Sequence, residues 1–432
     1  MAQATAAIRR AQPGETVTPP TNAEIMFDHH SADHADNWVS VYENMRDKCP
    51  VAHSSSYGGF YVLTKYADVA AAIGDDDTFS SLNQQEEGSI FGGIIIPPSP
   101  MVSCPVEMDP PDFHGYRKLL NPYFTPRYSN SWEPFTRDVT TAMLNRVIES
   151  GKLDLIHDLA SPVPALLTAK LLGLPLHDWR LYSDISHKVV YTPRDTPEFD
   201  ETTKGLLEIL AKVQLVVDER RVEPKDDLIS ALTQATVNGS PLSSERIMEI
   251  CHLVIAGGND TTTALLSNAF AWLQEHPDQL EWLREDPSRL PAACEEFLRI
   301  FTPTQGLART VTRDVEFGGH QMKRGDRVLL AFASANRDPE AFPNPDEVVL
   351  DRFPNRHQAF GLGIHRCLGS NYARMEFVVV MEELLRRLDD LDVKLDAAHR
   401  YESVGIVNGW VDMPATFKPG ERFDSEFEKE FF

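Results

Sequence analysis

The sequence predicts a mainly α-helical fold with small β-sheets. Three observations carry that expectation. Helical patterns dominate from Asp112 to about Arg299. Strand-like runs are short and scattered. No Gly/Ser linker or repeat interrupts the 432 residues. Length alone would allow about three ordinary domains, but without a break the chain reads as one large unit over 23–432. The preceding segment, 1–22, is polar, carries Arg9, Arg10 and three prolines, and reads as flexible.

Taken in order, Phe60-Tyr61-Val62-Leu63 reads as a strand, and Tyr66-Ala67-Asp68-Val69 as the start of a helix. Residues 80–108 are irregular, with an apolar run at Ile94-Ile95-Ile96-Pro97-Pro98. The thirty prolines, spread along the chain, serve as helix punctuation. The clearest helix begins near Ser243, an N-cap residue type, with Glu245 in its first turn. It is expected to run to Glu275, before His276-Pro277, which is about 32 residues or roughly 48 Å at the α-helical rise. Strand-like pieces return at Arg313–Phe317, Arg327–Phe332 and near Ser403–Val411, and a last helix pattern runs from Ser370 towards Leu388.

Composition narrows the function. The formal net charge of −24 argues against non-specific nucleic-acid binding. The five cysteines (Cys49, Cys104, Cys251, Cys294, Cys367) are scattered and odd in number, which suits a reducing compartment better than a disulfide framework. Neither the N-terminus nor any later stretch has the apolar run of a signal peptide or a spanning helix, so a soluble cytoplasmic protein without a membrane anchor is expected.

The most informative stretch is Phe360-Gly361-Leu362-Gly363-Ile364-His365-Arg366-Cys367-Leu368-Gly369. A lone cysteine sits among glycines at a loop-to-helix junction. Glycines let the backbone take unusual angles and pass close to a large flat ligand. N–H groups at the start of the following helix would stabilise a thiolate. The bland alternative is a structural cysteine in a glycine-rich turn.

A second signal lies midway along the long helix, at Ala256-Gly257-Gly258-Asn259-Asp260-Thr261-Thr262-Thr263. Two glycines there cost about 1 kcal/mol each relative to alanine, and β-branched residues follow. A sequence that accepts this cost mid-helix points to a function at that place. Glycines let a flat ligand or O₂ lie against the backbone. Asp260 supplies an acid and Thr261 a hydroxyl, together able to relay protons into an adjoining site. A helix kink at a packing contact explains the same residues without chemistry.

The spacing Phe-x-x-Gly-x-His-x-Cys-x-Gly resembles the haem-ligand signature of the cytochrome P-450 family. The stretch from Gly257 to Thr262 resembles that family's oxygen-activation motif and precedes Cys367 by about a hundred residues, as the family requires. Glu296 and Arg299, with Arg352, match its structural Glu-x-x-Arg set, and Asp109-Pro110-Pro111 with Arg117 matches another of its helices. Further matching pieces are Ala335-Asn336-Arg337-Asp338-Pro339 and Asp226-Asp227-Leu228. The likeness extends roughly over 42–417. It implies a triangular helical prism with a β-rich lobe and a single such domain over 23–432. It implies haem b (iron protoporphyrin IX) as cofactor, with Cys367 as the axial iron ligand and Asp260 and Thr261 as the catalytic proton-delivery pair. Haem contacts are implied for His114, Arg117, Arg309, Phe360, Gly361, His365 and Gly369. One departure stands out. Where many members carry histidine four residues before the Arg117 position, this chain has Phe113, and His114 follows one place later. By family position the substrate pocket is lined by Ile95, Val254, Gly257, Gly258, Leu307, Ile406 and Val407.

The resemblance further implies a monooxygenase using O₂, with a hydrophobic small molecule (terpenoid, steroid or lipid-like) as substrate. No flavin or iron–sulfur segment is visible, so electrons from NAD(P)H are expected to arrive through a separate ferredoxin-type donor. Lys118, Arg356, Arg366 and Arg374 form the basic patch where an acidic donor would dock. Two alternatives remain at this level: a haem-thiolate protein that binds a ligand or senses without turnover, and a peroxide-using peroxygenase.

Overall fold

The computed structural model describes residues 24–193 and 196–432; the segment 1–22 lies outside them. Among the described residues the helices that build the body are α1 (Ala32–Lys48), α2 (Tyr66–Gly74), α3 (Asp112–Leu120), α4 (Glu133–Asn145), α5 (Pro162–Leu172), α6 (Trp179–Tyr191), α7 (Pro197–Val222), α8 (Ser244–Gly258), α9 (Asp260–Glu275), α10 (Leu290–Phe301) and α11 (Ser370–Arg387). Local chemistry sets several of their ends. Ser31, Thr196 and Ser243 each accept an N–H from the third residue onward, which satisfies one orphan donor at a helix start. Helix α5 stops at Gly173, whose φ of 86° is the left-handed conformation that closes a helix at low cost.

The helix expected over 243–275 is two helices. The break falls at Asn259 (φ −90°, ψ −76°), directly after the two glycines. Asn259 donates from Nδ2 to Ser186 Oγ at 2.9 Å, and Thr263 Oγ1 bonds the Ala160 carbonyl at 3.1 Å. Polar contacts to neighbouring elements thus replace part of the helix ladder. Beyond the break, α9 is buried on nearly every side, the signature of a helix at the centre of a bundle.

Besides a short hairpin of Thr236–Val237 and Ser240–Pro241, the strands among the described residues are β1 (Glu24–Ile25), β2 (Val51–Ser54), β3 (Phe60–Leu63), β4 (Phe79–Ser80), β5 (Lys152–Asp154), β6 (Leu307–Val311), β7 (Val315–Phe317), β8 (His320–Met322), β9 (Arg327–Leu330), β10 (Asp392–Val393), β11 (His399–Arg400), β12 (Trp410–Asp412) and β13 (Pro414–Thr416). Six of them form one sheet in the order β1-β2-β3-β9-β6-β4. β9 lies parallel to β3 with Val328 opposite Tyr61, and antiparallel to β6 with Val328 opposite Arg309. One apolar core runs through the helices, and two smaller ones flank the sheet. The fold is therefore mainly α with a β-rich lobe, as expected.

One strand expectation needs correction, and one strand was not expected. The run at 403–411 narrows to β12, paired with β11, while 403–409 is a loop touching the cavity. β6 was not legible as a strand. Among the described residues, no helix is long and apolar enough to cross a membrane.

Candidate active site

The loop before α11 is shaped by Gly361 and Gly363, both at φ 64°, which a side chain would strain. Gly361 donates to the Gln358 carbonyl at 2.9 Å and Cys367 to the Phe360 carbonyl at 2.8 Å. These bonds fold the segment back on itself and present Cys367 to a cavity of about 1250 Å³ between helices and sheet. Burial pushes the Cys367 thiol up, opposed by the Gly369 N–H and by Arg117, Arg366 and Arg374. A metal ion at the sulfur would reverse that balance, because a coordinating thiol is deprotonated outright.

Ile95, Val254, Gly257, Gly258, Leu307, Ile406 and Val407 all line this cavity, as do Thr261, Phe360 and Gly369. The two helix glycines differ. A Cβ on Gly257 would meet no neighbour within 4 Å. On Gly258 it would come within 2.7 Å of Thr168 Oγ1, so this glycine permits close packing of α8 on α5.

The cations on the wall explain what the cavity can hold. Arg309 is buried, yet Nη1 donates only to its own strand, to the Ala308 carbonyl at 2.8 Å, and no ion pair to it is found among the described residues. Burial pushes its pKa down to about 10. His365 has no hydrogen-bond partner on either ring nitrogen, and burial, then Arg309, Arg117 and His114, push it down to about 3. Arg117, half-buried, donates to the Arg366 carbonyl at 2.7 Å and to Asn121 Oδ1 at 3.1 Å. A buried cation without an anion is costly. Buried Arg309 without an ion pair and a neutral His365 without a hydrogen-bond partner, beside a thiol in an apolar hollow, fit haem b, whose propionates would supply carboxylates and whose iron would take the sulfur.

His114 does not join that set. It is exposed at the surface, edge-on to Phe113 at 5.7 Å, and is not among the described residues that line the cavity. Phe113 is buried instead and packs on the His365 ring at 4.5 Å. The one-place shift of the histidine thus puts an apolar ring where an inward histidine would stand.

Asp260 and Thr261 sit just beyond the break. Thr261 Oγ1 donates to the Gly257 carbonyl at 2.7 Å. The Asp260 carboxylate does not line the cavity. It is buried against His187 of α6, with Oδ1 2.7 Å from Nδ1, and against Tyr401, whose hydroxyl is 3.0 Å from both carboxylate oxygens.

Comparison with known proteins decides the family. The chain is 37% identical over 350 residues to a putative cytochrome P-450, YjiB, of Bacillus subtilis, spanning 80% of this chain and 85% of that one. The chain belongs to the cytochrome P-450 family. The family model described as cytochrome P-450 matches residues 194–398. The steroid C26-monooxygenase of Mycolicibacterium smegmatis is 33% identical over 392 residues, 88% of this chain and 92% of that one. Among solved structures, a mutant of P-450 EryK in complex with erythromycin B superposes with a TM-score of 0.81 at 32% identity, covering 92% of this chain and all of that one.

In this P-450, Glu296 and Arg299 are both fully buried. Arg299 forks onto Glu296 with two bonds of 2.8 Å, Arg352 Nε adds bonds of 3.0 and 3.1 Å, and Asn355 and the Val349 N–H take the remaining acceptor positions. Arg299 also donates to the Asn336, Pro345 and Glu347 carbonyls, which ties α10 to the loop ahead of Cys367. Of the four cations assigned to the basic patch, Lys118, Arg356 and Arg366 are exposed. Arg374 is instead held by Glu295 at 2.5 and 2.8 Å and lies over the Phe360 ring. His187 and Tyr401 were missed by sequence reasoning, because each lies far from Asp260 in the chain and in no motif.

Proposed function

We propose that this P-450 monooxygenase inserts one oxygen atom from O₂ into a hydrophobic small molecule of terpenoid, steroid or lipid-like class. Electrons would come from NAD(P)H through a separate ferredoxin and its reductase. A cytoplasmic location and a single P-450 domain over 23–432 belong to the same reading; five cysteines without a disulfide agree with the former.

The observation that carries the reading is the division of labour on the cavity wall. Two cations, Arg117 and Arg309, and the neutral imidazole of His365, which can donate a hydrogen bond, gather around the Cys367 side, where haem propionates would need them. The remaining wall is dominated by side chains such as Ile94, Ile95, Met101, Val254, Leu307 and Ile406, which favour an uncharged apolar substrate. The relatives whose names give a steroid and erythromycin B agree with a bulky guest.

Haem held through Cys367 supplies dioxygen activation and oxygen insertion; the protein's share is placement, dryness and protons. Apolar side chains of the 94–101 loop and of 403–407 exclude water and orient the substrate over the α8–α9 break. Gly257, with open space at its Cβ position, leaves room beside that break. Thr261 presents a hydroxyl to the cavity, and Asp260, its chain neighbour, is the acid that replenishes the proton there. This pair favours O₂ chemistry over peroxide use, because a peroxygenase brings its own protonated oxidant.

The test is spectroscopic titration of the haem-loaded protein with testosterone, erythromycin B and palmitic acid, followed by reconstitution with ferredoxin, reductase and NADPH. The expected result is a low-to-high-spin shift with at least one compound, and hydroxylated or epoxidised product formed only when O₂ and the donor are present. Product from hydrogen peroxide alone at an equal rate would overturn the reductase-dependent reading.

A further inference from the structure

His187, Asp260 and Tyr401 are each 2% exposed and come from three separate elements. His187 lies on α6, Asp260 begins α9, and Tyr401 follows β11. Their hydrogen-bond inventory can be counted proton by proton. His187 Nε2 is 2.9 Å from the Val411 carbonyl, which can only accept, so Nε2 carries a hydrogen. His187 Nδ1 is 2.7 Å from Asp260 Oδ1. In the neutral Nε2–H tautomer Nδ1 is an acceptor, and a bare carboxylate is also an acceptor. Two acceptors at that distance repel, so one proton lies between them. The Tyr401 hydroxyl has a single hydrogen and reaches both Asp260 oxygens at 3.0 Å and Nδ1 at 3.1 Å. Donated to the carboxylate, it completes the set with no unsatisfied contact.

We propose that His187 is a positioning residue for proton delivery: with Tyr401 it holds Asp260, and the acid serving the cavity is a buried His187–Asp260 pair storing one proton. The proposal rests on the reading of Asp260 as proton donor given above and extends it. The groups facing the pair agree with an imidazolium–carboxylate arrangement. Asp154 acts on the ring electrostatically and favours its protonated form, the exposed His157 ring stands edge-on at 5.7 Å, and Tyr191 packs at 5.1 Å. Burial by itself would lower the basicity of the ring, and the Asp260 carboxylate beside it raises it above the ordinary value. The step balances simply. The stored proton leaves through Asp260 towards the Thr261 side, His187 relaxes to the neutral Nε2–H tautomer beside ionised Asp260, and one proton from water restores the pair. No electron moves in this exchange.

Nitrogen-15 imidazole spectra of the full chain, haem-loaded and in the ferrous carbon-monoxide form, read the stored proton directly, with His187 assigned from His187→Gln. The proposal expects both ring nitrogens of His187 protonated near neutral pH, and a single protonated nitrogen in Asp260→Asn. A wild-type ring carrying hydrogen on one nitrogen alone overturns it. A second reading uses NADPH-driven O₂ uptake through ferredoxin without substrate, since reduction of O₂ to peroxide consumes two electrons and two protons. Asp260→Asn should slow this uptake on the order of a hundredfold, the low end for loss of a positioned acid, and His187→Gln should slow it in the same direction. Slowing in Asp260→Asn with wild-type uptake and pH profile in His187→Gln overturns the role of His187 and leaves the relay intact. No slowing in Asp260→Asn overturns the relay reading itself, whatever the spectra show.

Discussion

Arg309 shows most plainly what a single side chain can say about an absent partner. It is buried in β6 with no ion pair among the described residues and only a through-space attraction from Asp109, so the free protein bears the cost of a poorly compensated charge. Replacing it with leucine removes that cost and also removes a partner for the cofactor. Arg309→Leu is therefore expected to fold with undiminished thermal stability before haem is added, yet to lose haem faster. Transfer to apomyoglobin should accelerate on the order of 30-fold, or about 2 kcal/mol, the low end for truncating one member of a buried charge pair. His187 gives a pH signature. Its pKa is raised in the folded chain, with the Asp260 carboxylate outweighing burial. The sign follows from linkage: its stabilisation is complete below the ordinary value of 6.5 and fades as pH rises past the raised folded value. The melting-temperature gap between wild type and His187→Gln should thus be wider at pH 6 than at pH 9. Cys367, Asp260 and Thr261 were legible because motif and spacing mark them. His187 and Tyr401 were not, since their closeness to Asp260 arises only when α6 and the segment after β11 pack on the helix break. His114 looked eligible by type and neighbourhood. One residue of helical rotation, about 100° at 3.6 residues per turn, turns it outward and Phe113 inward.

Among the elements, the break between α8 and α9 concentrates the argument. Poor helix formers at 257–263 marked the spot, and the sequence still read as one continuous rod because no proline falls between the Ser243 cap and the His276-Pro277 stop. The two glycines make the break testable. Gly257→Ala places a methyl where nothing lies within 4 Å, and should gain up to about 1 kcal/mol of stability through helix propensity while narrowing the cavity. Gly258→Ala meets Thr168 Oγ1 and should lose roughly 1–3 kcal/mol as α5 is pushed away. Thermal denaturation of the two variants separates the cases by sign. The α10 cluster is a second element-scale claim. Arg299→Met leaves Glu296 buried with one arginine fewer, and a broken buried pair costs about 3–5 kcal/mol. Urea unfolding of this variant should show that loss, with the Cys367 loop loosening alongside it. The Glu-x-x-Arg spacing was readable as a pair on one helical face. Its extension to Asn355 and the Val349 N–H depends on loop geometry that no periodicity encodes.

For the whole molecule, the mainly helical class and the small sheets followed from pattern lengths, and the larger sheet did not. Its order β1-β2-β3-β9-β6-β4 joins strands hundreds of residues apart, and two-residue strands leave almost no alternation to read. The cavity walls were legible only through family position, because they come from loops, a helix break and a strand brought together by tertiary packing. The exposed Lys118, Arg356 and Arg366 belong to this scale too. Reversing Arg366 to Glu should raise the KM for a plant-type ferredoxin several-fold with little change in kcat, and the difference should shrink with added salt as screening weakens steering. Everything rests finally on Cys367 as the ligand of a bound haem. The direct measurement is the carbon-monoxide difference spectrum of the dithionite-reduced, haem-loaded chain beside Cys367→Ser. The account predicts the long-wavelength Soret band of thiolate-ligated haem in the wild type and its loss in the variant. A wild-type band at the shorter-wavelength position of histidine-like ligation, unchanged by the substitution, would contradict it.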